Sequence, residues 1–154
     1  MITLQKITSK NCFEICKLKA DERFVATNEK SMIEAYAYYV ENGEGPLAYG
    51  IYDGETPVGF IMAEYCYDEN DNDGKPYYYL WRMMIDNSHQ RKGHGKAALD
   101  LLVQEIKASS KGKIEKLYTS AVPGSEGPIE FYKKLGFTKT GEMLEDEEGM
   151  VLVL

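Results

Sequence analysis

The sequence predicts one α/β domain, built on a mixed sheet with helices on both of its faces. Segments with the two-residue alternation of strands are interspersed with segments of helical period. Their order is strand, two helices, three strands, helix, strand, helix and two strands, which alternates too irregularly for a doubly wound sheet. The chain has 154 residues, and neither a linker nor an internal repeat divides it, so residues 1–154 are predicted to form a single domain.

The first third of the chain predicts one strand and two helices. Apolar and polar residues alternate over residues 2–7 and predict a strand, and residues 11–20 predict a short helix. A second helix is predicted over residues 29–41, where Asn28 can cap the first turn. Its predicted apolar face consists of Met32, Ile33, Ala35, Tyr36 and Tyr39. The run at residues 42–46 contains Gly and Pro and ends the helix.

The middle of the chain predicts three strands. Residues 47–52 and 58–67 flank a turn at residues 53–56 and predict a hairpin. Residues 68–76 are rich in Asp, Asn, Glu and Gly, which predicts an exposed loop. Residues 77–85 are apolar and aromatic over the length of a strand, and they precede the segment that carries the chemistry.

The last third predicts two helices and three strands. A long amphipathic helix is predicted over residues 93–111, followed by a strand over residues 114–121. Residues 128–135 predict a helix of about two turns, because a proline suits its first turn and two lysines suit its C-terminal end. Residues 137–140 and 149–154 predict a closing pair of strands, whose exposed edge could pair two copies of the chain as a homodimer.

The composition bears on the class of partner. The formal net charge of −7 argues against a nucleic-acid partner, which requires a basic surface, and against an anionic membrane surface. No apolar run approaches the ~18 residues that span a bilayer, and the N-terminus has no apolar core typical of a signal peptide. An acidic surface suits a cationic substrate, although the charge also serves solubility alone.

The cysteines indicate a reducing compartment. Cys12, Cys16 and Cys66 match no disulfide framework, which predicts a cytoplasmic protein. Cys12 and Cys16 are four residues apart on a predicted helix and could share a metal. The two histidines, His89 and His94, add no plausible ligand set, so buried thiols that pack as small apolar groups are the favoured interpretation and no metal site is predicted.

The chemically informative segment follows the strand at residues 77–85. A polar loop at residues 86–92 leads into Gly93, His94 and Gly95 at the start of the long helix. Glycine has no Cβ, so backbone amides there can approach a ligand closely, and a helix N-terminus attracts phosphate oxygens. Three cations surround this turn: Arg91, Lys92 and Lys96. The segment therefore predicts an anion site.

Three phosphate-binding motifs compete for this segment. A P-loop requires Ser or Thr where Ala97 stands and Gly where Gln90 stands, so that interpretation fails. A dinucleotide fingerprint could be drawn through Gly93, Gly95 and Ala98, but its glycines should follow the strand almost directly, and here a polar loop intervenes. The third motif, Q/R-x-x-G-x-G/A, is matched from Gln90 to Gly95 at every fixed position.

This strand, loop and helix resemble the acetyl-CoA site of the GNAT superfamily of N-acetyltransferases. A second matching piece is residues 130–137, EFYKKLGF, which resembles the family's tyrosine-bearing C-terminal helix and the strand after it. The two pieces stand in the family's order, separated by one strand, and the resemblance covers about residues 2–154. It implies a mostly antiparallel central sheet, and transfer of an acetyl group from acetyl-CoA, as co-substrate, to an amine.

The resemblance also implies roles for individual residues. A backbone amide at the end of the strand would polarise the thioester carbonyl, and Tyr132 would protonate the departing thiolate. The residues implied to bind the cofactor are Met83, Met84, Ile85, Gln90, Arg91, Lys92, Gly93, His94, Gly95, Lys96, Ser125 and Tyr132. The chain departs from the family at Ser125, where Asn is common, and at Pro128, where Ala is common. Without the motif, Tyr132 would be interpreted as a core tyrosine.

The proton balance of the reaction requires help from the protein. A primary amine with a pKa of ~10.4 is almost fully protonated near neutral pH, so a general base is expected. Some polyamine acetyltransferases of the family carry an acidic residue where Trp81 stands here. Glu64 on the neighbouring strand is the substitute candidate and Glu34 the next, although either could be a solvated surface carboxylate. For the leaving group, proton transfer from Tyr132 at ~10 to a thiolate at ~8.5 is expected to be slightly uphill.

The acceptor is predicted to be a small-molecule amine. Residues 24–28 and 80–86 are similar to the corresponding segments of bacterial spermine/spermidine N-acetyltransferases, which makes a polyamine the leading substrate. Glu34, Glu64 and Trp81 are then expected to bind it. Other small amines, amino acids, aminoglycosides and a protein N-terminus stay open as acceptors. A non-catalytic acyl-CoA sensor is the alternative from another functional class.

Overall fold

The computed structural model describes residues 1–124 and 127–154. The strands in these residues are β1 (Ile2–Lys6), β2 (Leu47–Asp53), β3 (Thr56–Cys66), β4 (Tyr77–Ile85), β5 (Lys116–Ala121), β6 (Thr138–Leu144) and β7 (Glu147–Val153). The helices are α1 (Cys12–Cys16), α2 (Asn28–Asn42), α3 (His94–Ala108) and α4 (Ile129–Lys134). The order of elements is the predicted one, and the bounds of β4 agree with the prediction at both ends.

The strands form one mixed sheet in the order β1-β2-β3-β4-β5-β7-β6. Neighbouring strands are antiparallel except β4 and β5, which run parallel, so the predicted mixed and mostly antiparallel sheet is confirmed. The β4–β5 ladder of the described residues consists of Tyr78 with Leu117 and Tyr79 with Tyr118. Beyond these pairs no backbone pairing joins the described residues of the two strands, and this unpaired stretch toward the end of β4 is a candidate cleft.

The ladder between β3 and β4 contains a bulge beside this cleft. Met62 pairs with Arg82 and Ala63 pairs with Leu80, which leaves Trp81 as the extra residue of β4. A bulge locally changes the alternation of side chains, so consecutive residues can serve the same face. Trp81 packs against the core on the side of α1 and α2, and Arg82 reaches α2 on that same side.

Helices cover both faces of the sheet, as predicted. One core lies between the sheet, α3 and α4 and includes Ile61, Leu80, Leu102 and Leu117. The other lies between the sheet, α1 and α2; its fully buried centre is Ile15, Phe60 and Met62.

The buried face of α2 differs from the predicted one. Ile33, Tyr36 and Tyr39 are 69%, 70% and 53% exposed, while Met32 and Ala35 pack against the core as predicted. The buried line instead starts with Asn28 and Ser31. Both are polar but bonded internally: the Asn28 amide donates to the Ile15 carbonyl at 2.8 Å, and Ser31 donates to the carbonyl of Thr27 at 3.0 Å. The apolar spacing therefore predicted a buried face that is rotated about the helix axis from the observed one.

The cap of α2 was also predicted wrongly. Thr27 is the N-cap, and its hydroxyl accepts the amide of Lys30 at 3.3 Å. Asn28 cannot serve, because its side chain is buried and turned toward Ile15. At the other end Gly43 adopts a left-handed φ of 75° and ends the helix where the glycine run predicted.

The closing hairpin is longer than predicted. β6 and β7 extend over residues 141–144 and 147–148, outside the predicted strands, and a tight turn at residues 145–146 joins them. β6 is the edge strand and is exposed along most of its length, so it lacks the apolar alternation that marks a strand. Within residues 1–124 and 127–154, no helix is long and apolar enough to cross a bilayer. The three cysteines are half-buried free thiols.

Candidate functional site

The N-terminus of α3 has the backbone of an anion-binding turn. Gly93 precedes the helix with a left-handed φ of 81°, and Arg91 also has a positive φ, of 62°. The amide of Ala97 bonds the carbonyl of Gly93 at 3.2 Å, the first bond of the helical ladder. By helix geometry the amides before Ala97 have no intrahelical acceptor, so they are available to a ligand at the positive end of the helix dipole.

Side chains of the loop hold this turn against the end of β4. The Gln90 amide donates to the carbonyl of Ile85 at 3.0 Å and to Asn87 at 3.3 Å. Lys92 donates to the carbonyl of Ser88 at 3.2 Å, and Lys96 forms an ion pair with Asp100 at 2.7 Å. Gln90 and Lys92 therefore order the loop from within, and Lys96 is paired with Asp100 on α3.

Gly95 brings the loop at residues 90–96, β4 and α4 together. A Cβ on this glycine would lie 2.9 Å from Cζ of Phe131 and 3.4 Å from Cε of Met83. Real Cβ atoms essentially never come within 3.0 Å of another heavy atom, so the approach of α3 to Phe131 depends on the missing side chain. The two sequence motifs, far apart along the chain, thus meet in one place.

Tyr132 lies beside the cleft between β4 and β5. Its ring is buried and packs edge-to-face on Phe137, with the centroids 5.3 Å apart. Burial raises the pKa of Tyr132 to about 12, although a hydrogen bond with Thr119 acts in the opposite direction. Thr119 in turn donates to the carbonyl of Leu80 at 3.0 Å, across the point where the strands part.

This pKa differs from the expectation for an ordinary tyrosine. An ordinary tyrosine and a thiol differ in pKa by about 1.5. With a pKa of about 12 for Tyr132, the difference in pKa from the thiol becomes about 3.5. Full proton transfer to a thiolate would then be uphill by about 5 kcal/mol. Tyr132 is therefore a neutral hydrogen-bond donor across the physiological range, held in that form by its buried position.

The candidate acceptor residues lie on the opposite face, under α2. Glu64 stands directly across from Tyr79 in the β3–β4 ladder. Burial raises the pKa of Glu64, and the nearby Arg82 opposes this effect. Glu34 reaches the site from α2, but its carboxylate is held by Arg82 at 2.7 Å. Glu64 is thus the half-buried carboxylate with the weaker attachment, and Glu34 is engaged in an ion pair.

Trp81 forms an aromatic wall next to these carboxylates. Its indole meets Tyr38 edge-to-face with centroids 6.1 Å apart, and the Arg82 guanidinium lies 5.6 Å above it. Tyr38 donates to the carbonyl of Tyr65 at 3.3 Å. The structure therefore groups Glu34, Glu64 and Trp81 on one face, whereas the loop at residues 90–96 and Tyr132 lie toward the other. Ser125 lies outside the described residues.

A polar triad, Tyr79, Ser120 and Glu147, was missed at the level of sequence. The hydroxyls of Tyr79 and Ser120 are 2.6 Å apart, and Ser120 also donates to the Glu147 carboxylate. The three residues come from β4, β5 and β7, so their side chains bridge the strands where the backbone pairing ends. A polar residue within a strand, such as Ser120, is a local sign of a specific role. Its partners, however, are determined by the order of strands in the sheet and not by sequence spacing.

The sequence was compared with known proteins. A profile of the acetyltransferase (GNAT) family matches residues 12–137. No curated protein sequence matches significantly. Among solved structures, the N-acetyltransferase YlbP of Bacillus subtilis, in complex with coenzyme A, is 19% identical with a TM-score of 0.61; the match covers 100% of this chain and 96% of that chain.

Two further structures are similar in fold over nearly their whole length. Naa50 of Arabidopsis thaliana, in complex with the bisubstrate analogue CoA-Ac-MVNAL, is 20% identical with a TM-score of 0.65, covering 99% of this chain and 97% of that one. AtaT, complexed with acetyl-methionyl-tRNAfMet, is 16% identical with a TM-score of 0.70, covering 99% and 95%. Because a protein of this fold was solved with a tRNA, the exclusion of nucleic acid from net charge is not supported.

Proposed function

This chain belongs to the acetyltransferase (GNAT) family, and on that premise we propose that its acceptor is a primary amine of a small polycation, a polyamine such as spermidine or spermine. Family membership makes it an acetyl-CoA-dependent N-acetyltransferase. The identity of the acceptor goes beyond the family, and the arguments for it come from the charges and contacts of the site.

The candidate cleft between β4 and β5 supports the binding of acetyl-CoA. Backbone pairing of the two strands ends at Tyr79 and Tyr118, and the chain after β4 continues to α3, whose first amides have no intrahelical acceptor. An extended pantetheine arm fits such a cleft, because the edge of β4 from Met83 to Ile85 has backbone groups to bond it, and the pyrophosphate then meets the helix N-terminus. We assign the surrounding charge to Arg91 and Lys92, with Lys96 and His94 at the helix start.

Tyr132 is proposed to act on the leaving group. A buried hydroxyl beside the cleft can donate a hydrogen bond to the sulfur as its negative charge develops. With a pKa of about 12, its main contribution is this hydrogen bond rather than complete proton transfer. Tyr132→Phe is expected to slow acetyl transfer by about 10²-fold while leaving the dissociation constant for acetyl-CoA nearly unchanged.

The observation that carries the polyamine proposal is the pair of carboxylates on the acceptor face. Glu34 and Glu64 lie beside Arg82, and Glu34 already engages Arg82 at 2.7 Å and Lys30 at 3.8 Å. A half-buried carboxylate with a raised pKa, such as Glu64, is suited to take a proton from an ammonium group. Trp81 offers an aromatic face to a cationic chain. We propose Glu64 as the base for the first proton of the amine.

Thiol release from acetyl-CoA tests the substrate class. Spermidine, spermine, small diamines, amino acids, an aminoglycoside and a peptide with a free N-terminus are supplied as separate acceptors. Release with polyamines alone supports the proposal, whereas release with another amine alone keeps the enzyme and overturns the polyamine. Binding of acetyl-CoA without release in the presence of any acceptor would favour the sensor instead.

A matched pair of variants tests the base. Glu64→Gln is expected to lower kcat/KM for the amine by about 10²-fold, because the first proton then has no nearby acceptor. Glu55→Gln makes the same chemical change at an exposed turn residue and is expected to leave the rate unchanged. Equal rates for the two variants would remove Glu64 from the mechanism. A homodimer formed along the exposed edge strand β6 stays a proposal that size-exclusion chromatography checks.

A further inference from the structure

We propose that Glu147 takes up the second proton of the acceptor nitrogen through Tyr79 and Ser120, with the phenol oxygen of Tyr79 receiving it from the amine. The inference rests on the proposed function, because only an amine acceptor must lose this proton. It assigns a role in the reaction to the polar triad.

The triad is positioned where such a role is needed. Tyr79 is the last residue of β4 that pairs with β5, so its side chain stands at the point where the cleft begins. Glu64 lies directly opposite it in the next strand. Leu80, the next residue of β4, accepts a hydrogen bond from Thr119, which also bonds Tyr132. We therefore place the Tyr79 hydroxyl between the acceptor face and the proposed position of the thioester sulfur.

The direction of the hydrogen bonds follows from the chemistry of the groups. An ionised carboxylate only accepts, so Ser120 donates its single proton to Glu147. The Ser120 oxygen is then left to accept from Tyr79, whose hydroxyl lies 2.6 Å away. The remaining lone pairs of the Tyr79 oxygen can accept an N–H. The triad therefore presents an acceptor to the amine and ends in a base at the far end.

The step balances without any further reactant. The ammonium group gives its first proton to Glu64, and the neutral amine attacks the thioester carbonyl. The nitrogen of the tetrahedral intermediate is again positively charged, and its N–H bond breaks as a new O–H bond forms on Tyr79. The original proton of Tyr79 moves to Ser120, and that of Ser120 moves to Glu147. The C–S bond then breaks, and the thiolate takes up one proton as it leaves.

After the transfer, Glu147 is neutral while Tyr79 and Ser120 are unchanged. Of the two protons held by Glu64 and Glu147, one goes to the sulfur and the other to solvent. One proton is therefore released per acetyl group transferred. Three further groups interact with the triad. The charge of Glu147 raises the pKa of Tyr132 on α4. Glu64 raises the pKa of Tyr79, and Arg82 lowers it. Ser120 and Glu147 act through Tyr79 and do not contact the substrate themselves.

Three variants and a matched control test the inference. Tyr79→Phe, Ser120→Ala and Glu147→Gln are each expected to lower kcat at least about tenfold, with the acetyl-CoA dissociation constant unchanged. Glu148→Gln is the control, because adjacent residues of a strand point to opposite faces and Glu148 pairs instead with Lys139 at 2.9 Å. The double variant of Tyr79→Phe and Glu147→Gln is expected to be no slower than the slower single variant, since both changes interrupt one path.

The pH profile separates proton transfer from a merely structural role. The pH dependence of kcat is expected to change in Glu147→Gln and to stay as in the unaltered protein in Glu148→Gln, because only the first change interrupts the proton path. An independent readout is the pKa of the Tyr79 phenol, followed by NMR of labelled tyrosine rings. Loss of the negative charge of Glu147 is expected to lower that pKa, because the carboxylate now raises it.

The outcomes distinguish this inference from the proposed function. Normal kcat in all three triad variants, or a Tyr79 pKa that is the same in Glu147→Gln as in the unaltered protein, overturns the proton path and leaves the acetyltransferase untouched. Absence of thiol release from the unaltered protein with every amine overturns the proposed function and the proton path together. Additive losses in the double variant would assign the triad a structural role and also overturn the path.

Discussion

The ring of Phe131 lies so close to Gly95 that a Cβ at position 95 would come within 2.9 Å of its Cζ atom. Gly95 is on the first turn of α3, and Phe131 precedes Tyr132 in α4. The distance between the start of α3 and the tyrosine-bearing helix α4 is therefore controlled by one missing side chain. Because Phe131 is 40% exposed, its ring has room to move, but only by changing its contact with α3.

Gly95→Ala is expected to destabilise the protein by about 1–2 kcal/mol, because the added methyl group overpacks the contact with Phe131. Phe131→Leu removes the ring and is expected to recover most of that loss in the double variant. Urea unfolding measures both. Gly45→Ala is the control, since a Cβ there meets nothing within 4 Å. Equal effects at positions 95 and 45 would contradict the packing argument.

Arg91 combines a positive charge with a strained backbone, and the two can be separated by substitution. Arg91→Ala removes the charge but leaves a side chain at the strained φ of 62°. Arg91→Gly removes the charge and also the strain, because glycine adopts a positive φ readily. We expect both variants to raise KM for acetyl-CoA by a similar factor, because they lose the same charge. The glycine variant is expected to be more stable than the alanine variant by up to about 1 kcal/mol.

Steady-state kinetics and urea unfolding check these two effects independently. Lys96→Ala serves as the comparison for charge, because Lys96 is already paired with Asp100 at 2.7 Å and has less free charge to offer a phosphate. An unchanged KM in both Arg91 variants would remove Arg91 from the anion site.

The local parts of this molecule were predictable from sequence, and the reason is visible at β4. Residues 77–85 are apolar and flanked by polar loops, so the strand agrees with its prediction at both ends. The glycine loop and the start of α3 follow from the preference of glycine for a left-handed turn at Gly93. The family and the fold class then follow from motifs whose residues are close together in sequence.

The parts that failed depend on distant partners. Asn28 and Ser31 are buried because carbonyls of Ile15 and Thr27 accept their hydrogen bonds, which no apolar spacing can reveal. The polar triad depends on the sheet order that places β7 beside β5. The assignments of Glu64 and Tyr132 in the reaction stay predictions that the kinetic variants decide.

Glu34 and Arg82 form an ion pair, and losing one partner is expected to cost more stability than losing the other. The side chain of Arg82 is only 18% exposed, and its Nε atom is buried without a partner in the described part of the chain. Glu34→Gln leaves this guanidinium poorly paired and is expected to cost about 2–3 kcal/mol. Arg82→Met leaves Glu34 able to turn toward solvent and is expected to cost less.

A double-mutant cycle over these two positions is expected to give a coupling of about 1–2 kcal/mol, measured by urea unfolding. Lys30→Ala is the control, because Lys30 is 3.8 Å from Glu34 and largely exposed, and its loss is expected to cost at most about 0.5 kcal/mol. A cost of Arg82→Met that exceeds that of Glu34→Gln would contradict the asymmetry.

Stability is expected to fall at alkaline pH, and Tyr132 contributes to this fall. Burial raises its pKa from ~10 to about 12, so folding favours the protonated phenol. The resulting stability, at most about 3 kcal/mol, is complete below a pH of ~10 and is lost as the pH rises toward about 12. Urea unfolding at about pH 8 and about pH 11 should show a smaller loss in Tyr132→Phe than in the unaltered protein. The exposed Tyr36→Phe should behave like the unaltered protein, and the same loss in both variants would contradict a role for the buried phenol.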